Sequence, residues 1–236
     1  MNSNEQIINK IKGGLIVSCQ ALEDEPLHSS YIMSRMAVAA MEGGAVGIRA
    51  NSPEDIAEIK KVCDLPVIGL WKSVYDDSDI YITPTMKEID ALAEAQVDII
   101  ATDATDRVRP GGETLESLFA AVRSKYPDML FMADCSTYEE GVRAEALGFD
   151  IVSTTLAGYT ARTKGRSLPD YDMLCKLAKE LAIPVIAEGG IWEPNQLQEA
   201  FKLGCHCAVI GSAITRPRDI TRRFTDSIKE ITNEDN

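Results

Sequence analysis

Histidine is scarce in this chain, with two copies among 236 residues, His28 in a polar loop and His206 between two cysteines. Neither sits in a recognisable nucleophile motif with a serine or cysteine, which argues against histidine-based triad chemistry. Positive charge is also in deficit: the net charge is −13 and no basic stripe stands out. Such a surface repels phosphate backbones, so nucleic acid is excluded as a general partner, and any anionic ligand must be held by local design. No apolar run approaches membrane-spanning length, and the start, Met1-Asn2-Ser3-Asn4-Glu5-Gln6, has no signal-type apolar core. The expectation is a soluble, cytoplasmic protein without membrane contact. The six cysteines follow no scaffold spacing, so they read as reduced thiols. Cys205-His206-Cys207 invites a metal reading, but successive residues entering a strand point to opposite faces, and zinc sites draw ligands from separated pairs. No metal is expected.

What is present is a pair of glycine-rich strand ends. Val185-Ile186-Ala187 stops on Glu188-Gly189-Gly190, and Ala208-Val209-Ile210 stops on Gly211-Ser212. Glycine lets bare backbone N–H groups close on an anion, and a helix beginning just after each loop is expected to aim its positive end at the same point. Taken singly, each is also what a tight strand-to-helix turn looks like. Together they predict a phosphate cradle, with Glu188 beside it.

Short apolar runs alternate with longer amphipathic segments along the whole chain, in eight units. The predicted strands are Gly14–Ser18, Val46–Ile48, Pro66–Leu70, Asp98–Ala101, Met129–Ala133, Asp150–Ser153, Pro184–Ala187 and Cys207–Ile210. Each is nearly all apolar, as expected of strands buried on both faces of a parallel sheet. The predicted helices are Ser30–Met41, Pro53–Val62, Thr85–Ala95, Thr114–Tyr126, Tyr138–Leu147, Tyr171–Leu181, Pro194–Leu203 and Pro217–Ile231. Eight βα units fit one α/β domain over residues 1–236, a single (β/α)8 TIM barrel, a fold of about 250 residues. A doubly wound open sheet would carry its glycine-rich turn after the first strand; here Gly13-Gly14 precedes that strand and Ser18-Cys19-Gln20 follows it. The glycine loops fall after units seven and eight, where barrels commonly place phosphate.

Chemistry in such barrels gathers at the C-terminal mouth. The polar residues following the apolar runs are Gln20, Arg49, Lys72, Asp103, Asp134, Thr155, Glu188 and Ser212, all expected to face one rim. Burying a lysine, an arginine and several carboxylates on one ring costs several kcal/mol unless they pair or bind something.

The strings Ser18-Cys19-Gln20-Ala21, Gly47-Ile48-Arg49-Ala50, Tyr81-Ile82-Thr83-Pro84-Thr85, Ala101-Thr102-Asp103-Ala104-Thr105, Ala133-Asp134-Cys135-Ser136, Leu156-Ala157-Gly158-Tyr159-Thr160 and Ala187-Glu188-Gly189-Gly190 occur in this order. The chain in this respect resembles the N-acetylmannosamine-6-phosphate 2-epimerase family, from about Gly14 to the last helix. The resemblance implies a ribulose-phosphate-binding type of barrel. It implies interconversion of N-acetylmannosamine 6-phosphate and N-acetylglucosamine 6-phosphate in sialic acid breakdown, without metal or organic cofactor. Lys72 resembles the family's acid/base lysine, and burial together with nearby Arg49 would lower its pKa as a base requires. Glu188 resembles the second catalytic carboxylate, assisting ring opening or handling the proton on the enolate oxygen. Asp134 is implied to bind sugar hydroxyls or to orient Lys72, and could equally cap a helix. Gln20 and Arg49 match substrate-contact positions, and Thr155 is grouped with them. The backbone at Gly189, Gly190, Gly211 and Ser212 supplies donors for phosphate, with Arg216 resembling an arginine that grips two of its oxygens. Asp106-Arg107-Val108-Arg109-Pro110-Gly111-Gly112 looks like a mouth-covering loop, with the roles of Arg107 and Arg109 open. A lyase forming a Schiff base on Lys72, and a sugar-phosphate sensor without turnover, are the alternatives on the same scaffold. A homodimer through the final helix is implied as well, where Ile220, Phe224 and Ile228 recur at helical spacing; the same stripe would suit packing within the barrel.

Overall fold

Eight parallel strands close on themselves in sequence order, β1 (Leu15–Cys19), β2 (Gly47–Asn51), β3 (Val67–Leu70), β4 (Ile99–Asp103), β5 (Leu130–Asp134), β6 (Ile151–Ser153), β7 (Val185–Glu188) and β8 (Cys207–Ile210). The ring is sealed where Leu15, Ile16 and Val17 pair with Ala208, Val209 and Ile210. The structure is a computed structural model and describes residues 3–234, with side chains described through Lys229. Helices α2 (Ser30–Glu42), α3 (Pro53–Lys60), α4 (Met86–Glu94), α5 (Leu115–Lys125), α6 (Tyr138–Leu147), α7 (Tyr171–Glu180), α8 (Pro194–Lys202) and α10 (Pro217–Glu234) match the eight expected segments to within a few residues. The predicted (β/α)8 barrel is therefore the observed fold.

The strands read as unbroken apolar runs because both of their faces are buried. Ile16, Ile68, Leu70, Ile99, Ala101, Cys207 and Val209 fill the barrel interior. Their neighbours Val17, Val67, Ile100 and Ala208 belong to the separate layer between sheet and helices. The alternation follows from the two-residue period of a strand. Cys205 lies before β8 and packs in the outer layer while Cys207 is in the inner one, and His206 Nε2 lies 2.9 Å from the Ile8 carbonyl oxygen. Among the described residues all the cysteines are free thiols, and no group of three or more His, Cys, Asp or Glu could hold a metal ion. No helix among them is long and apolar enough to cross a membrane.

Two helices were not foreseen. The first, α1 (Ser3–Ile11), lies in a segment that reads as merely polar, yet it turns Ile7, Ile8 and Ile11 onto the floor of the barrel, with Ile11 fully buried. Its signal is three isoleucines at i, i+1 and i+4 in a polar background. The second, α9 (Ser212–Thr215), is a single turn directly after β8, parted from α10 by Arg216. Arg216 precedes Pro217, and a residue before proline is pushed out of helical conformation; its φ of −118° and ψ of 78° fit that rule.

Several strands run one to three residues further than expected. Arg49, Asp103, Asp134 and Glu188 consequently sit on the last turns of the pleat, inside the ladder, and not in the loops beyond it. Strand ends are rigid, so these charges are held where the barrel opens.

Candidate active site

A cavity of about 550 Å³ opens at the C-terminal ends of the strands. Ten of the eleven anticipated site residues line it: Gln20, Arg49, Lys72, Thr155, Glu188, Gly189, Gly190, Gly211, Ser212 and Arg216. Asp134 is the exception. It is fully buried beneath the cavity, and both its oxygens take the guanidinium of Arg49, at 3.1 and 2.5 Å. Asp134 therefore touches neither cavity space nor Lys72; it fixes Arg49. Nor does it cap α6, whose N-terminus is closed by Thr137 and Glu140.

Arg49, 1% exposed, turns its other edge to Glu188, with Nη1 donating to Oε2 at 2.7 Å. The Thr155 hydroxyl sits between the two carboxylates, 2.8 Å from Asp134 Oδ1 and 2.9 Å from Glu188 Oε2. A hydroxyl has one proton to give, so it satisfies one of these acceptors and can itself accept a hydrogen bond from a protonated Glu188. Burial lowers the Arg49 pKa, but the charges of Asp134 and Glu188 outweigh it, so Arg49 is held above its ordinary value and stays cationic. Glu188 is pushed up to about 7, chiefly by burial, with Asp134 adding to the rise and Arg49 opposing it.

Lys72 stands just past the end of β3. Its backbone N–H donates to Asn51 Oδ1 at 2.9 Å, and it bridges to Ile82 across the mouth. The supporting segment is strained: Thr83 has a φ of +46°, uncommon for a β-branched residue, and is pinned through Trp71 on both its N–H and its hydroxyl. The Lys72 side chain lines the cavity, and its Nζ has no hydrogen-bond or ion-pair partner among the described residues. Burial lowers its pKa to about 8, helped by the positive charges of Arg216 and Arg49.

The glycine loops meet at the same cavity. Gly189 and Gly190 have φ of +105° and +73°, open to glycine at little cost, and a Cβ on Gly190 would come within 2.4 Å of Leu168 Cβ. The backbone N–H groups of Gly189, Gly190, Gly211 and Ser212 have no acceptor among the described residues. One expectation needs correcting. Helix α8 begins at Pro194, with Ile191, Trp192 and Glu193 between it and the glycines, and Gln196 Oε1 accepts the N–H groups of Trp192 and Glu193 at 2.7 and 3.0 Å, so this helix does not open directly on the glycine loop. Only α9 starts directly at its loop, with Gly211 as its N-cap.

Asp103 does not line the cavity, contrary to the single-rim expectation. It is fully buried and accepts from Thr105 and from Arg107. Arg107 also reaches the Asp79 carbonyl, and Arg109, 1% exposed, binds the Pro84 and Asp103 carbonyls. Both arginines brace the loop. The sequence reading did not single out Ser18, Tyr81, Tyr159, Leu168 and Trp192 as parts of the wall. Ser18 ends the first predicted strand and could have been found. Tyr81 and Tyr159 stand in the strings that carry the family resemblance but had no role read for them, Trp192 follows the Gly189-Gly190 loop, and Leu168 arrives from the long β6–α7 connection.

A closed eight-stranded α/β barrel whose mouth joins a buried lysine and a buried carboxyl to free peptide N–H groups has the layout of a barrel enzyme. Comparison with known proteins narrows this. Residues 33–230 match the NanE family, N-acetylmannosamine-6-phosphate epimerase. Proteins named as N-acetylmannosamine-6-phosphate 2-epimerase are 56% identical over 223 residues in Clostridium perfringens (94% of this chain, all of the relative) and 51% identical over 227 residues in Listeria innocua (95% and 98%). The solved N-acetylmannosamine-6-phosphate 2-epimerase structure from Clostridium perfringens superimposes with a TM-score of 0.89 at 55% identity, covering 93% of this chain and 95% of that one. Thiamine phosphate pyrophosphorylase from Pyrococcus furiosus, 19% identical with a TM-score of 0.61 over 97% and 98% of the two chains, shares the fold alone. The chain belongs to the N-acetylmannosamine-6-phosphate 2-epimerase family.

The depressed Lys72 pKa carries a stability cost of known sign. Its folded value, about 8, lies below the ordinary 10.5, so between these the unfolded chain binds more protons and stability rises with pH. Below pH 8 the full penalty applies. Lys72→Met is therefore expected to raise the melting temperature at pH 7 by about 5 °C, on the order of 2 kcal/mol, with the gain fading towards pH 10.5. Scanning calorimetry of both proteins across this range checks it, and equal melting temperatures at pH 7 would refute it.

Proposed function

We propose that this protein interconverts N-acetylmannosamine 6-phosphate and N-acetylglucosamine 6-phosphate by moving a proton off and onto C2, within sialic acid and amino sugar catabolism. The supporting observation is that Lys72, Glu188 and the glycine cradle share one cavity. In the ring-opened sugar the C2 hydrogen lies next to the aldehyde and is acidified by it. Inverting C2 changes no oxidation level, so the reaction by its own chemistry calls for a base, an acid and an oxyanion partner. In this reading Lys72 takes the C2 proton as a neutral amine, and a proton delivered to the opposite face of C2 gives the epimer. Glu188 donates to the developing enolate oxygen or to the ring oxygen. Arg49, fixed by Asp134, and Gln20 hold the sugar and acetamido oxygens, with Thr155 relaying hydrogen bonds to Glu188. The cradle and Arg216 hold the phosphate, which anchors the substrate while C2 reacts. No metal or organic cofactor takes part. The protein acts as one barrel domain in the cytoplasm, on the sequence grounds set out above.

The final helix supports a homodimer. Phe224, on the outer face of this helix, is 69% exposed. Large apolar side chains grouped on one helix face are a common mark of a protein contact.

Proton transfer at C2 predicts that incubation with N-acetylmannosamine 6-phosphate in deuterated water washes out the C2 proton signal in NMR spectra. Lys72→Ala should lose both exchange and turnover by at least about a hundredfold. Exchange persisting at the wild-type rate in that variant would defeat the assignment.

The working state carries one proton shared between Lys72 and Glu188. Below pH 7 both hold protons and the amine cannot accept; above pH 8 both have lost them and no donor remains. The profile of kcat/KM against pH is expected to be bell-shaped with limbs near 7 and 8. In Glu188→Gln the residual rate should only rise with pH, and an unchanged bell would remove Glu188 from the reaction.

Light scattering should give twice the chain mass, and Phe224→Glu should shift the population to monomer. A wild-type monomer at working concentration removes the dimer.

A further inference from the structure

The acidic turn after β1, Glu23-Asp24-Glu25, looks on sequence like a solvated loop, but its three carboxylates do not share one fate. Glu23 and Asp24 are exposed; the Glu25 side chain is 9% exposed. Glu25 is set by a local turn: its N–H donates to the Leu22 carbonyl at 2.9 Å, and its Oε2 accepts from the Leu22 N–H at 2.9 Å. From there it meets two arginines across the chain. Oε2 is 3.3 Å from Arg216 Nη2, and Oε1 is 3.2 Å from Arg218 Nη2.

The Arg216 guanidinium has no other hydrogen-bond or ion-pair partner among the described residues, and it forms part of the wall of the large cavity beside Gly211 and Ser212. It lies at the break between α9 and α10, where its carbonyl accepts the N–H groups of Asp219 and Ile220 at 3.0 Å and so fixes the backbone but not the side chain. A second cavity of about 270 Å³, lined by Ala21, Pro26, Leu27 and Pro217, lies against the same arginine. Without Glu25 the long Arg216 side chain would have room to turn into this space. With it, one edge of the guanidinium is engaged and the rest is left to the anion.

We propose that Glu25 is a positioning residue that holds Arg216 ready for the phosphate of the substrate, coupling the β1–α2 loop to the anion cradle. This rests on the reading of the cradle as the phosphate site. Glu25 touches no reacting atom in this scheme and acts through Arg216. A guanidinium restrained by a carboxylate on one side loses less rotamer freedom when it binds an oxyanion on the other, which lowers the cost of binding. The opposite outcome is physically clear as well: were Glu25 a competitor that must be displaced, its removal would tighten phosphate binding.

The test combines Glu25→Gln, Arg216→Ala and the double variant. The readouts are KM and kcat for N-acetylmannosamine 6-phosphate and the calorimetric dissociation constant of inorganic phosphate. Glu25→Gln should raise KM and the phosphate dissociation constant together by about tenfold, with kcat within about twofold. In the Arg216→Ala background the same substitution should add nothing, because its effect passes through the missing side chain. An unchanged or tighter phosphate constant in Glu25→Gln overturns the proposal. So does an equal loss in the Arg216→Ala background, which would mark a purely structural loop role. Should Glu25→Gln fold poorly, Arg218→Ala with Glu25 intact must leave KM near wild type; a tenfold rise there also overturns it. Failure of the underlying reading looks different: wild-type protein that neither turns over the sugar phosphate nor binds phosphate.

Discussion

Arg49 is the fixed charge around which the mouth is arranged. It sits inside the ladder on β2, almost fully buried, and is bonded on one edge to Asp134 and on the other to Glu188. Arginine does not give up its proton, so this centre is always positive. Asp134, equally buried and bidentate, cancels one unit of that charge. What remains around it is a lysine and a carboxyl that together need only one proton. In water they would form an ion pair. In the barrel mouth burial penalises both charged forms, and the neutral pair draws close in free energy to the charged one. Values near 8 for Lys72 and near 7 for Glu188 express that balance. A buried ion pair of the Arg49 kind is poor evidence for stability; its use here is to set the electrostatics of its neighbours.

In the proposed scheme binding and chemistry are separated in space but share a wall. The glycine loops and Arg216 supply uncharged peptide donors and one cation for an anion, while Lys72 and Glu188 face the same cavity from β3 and β7. Arg216 also lowers the Lys72 pKa, more strongly than Arg49 does. A phosphate bound on Arg216 would offset that positive charge, so anchor and base are electrostatically linked. The mouth-facing loops are held by buried polar residues: Glu88 and Glu140 close helix starts, and Arg109 ties the β4–α5 loop to carbonyls of the preceding connection.

The barrel was legible because its physics is local and repeated. Eight apolar runs separated by amphipathic segments leave few packings open, and the glycines after β7 and β8 marked the phosphate end. Helix α1 was missed because three isoleucines among polar residues are a weak pattern until a barrel floor needs covering. The start of α8 at Pro194 was read correctly; what the sequence did not show is that Ile191, Trp192 and Glu193 part the helix from its glycine loop. Among the rim residues, spacing put Asp103 and Asp134 in the same ring as Glu188, and only the depth of each side chain separates them.

Residue type and order thus specified the fold and brought the glycine loops, the amine and the carboxyl to one mouth, since these depend on strand period, glycine conformation and side-chain chemistry. Tertiary structure decided which carboxylate holds Arg49 and which faces the cavity, that Asp103 is committed to Arg107, and that Glu25 reaches Arg216 across the chain. These pairings join residues up to nearly two hundred positions apart, and burial, which sets their pKa values, exists only once the ring has closed.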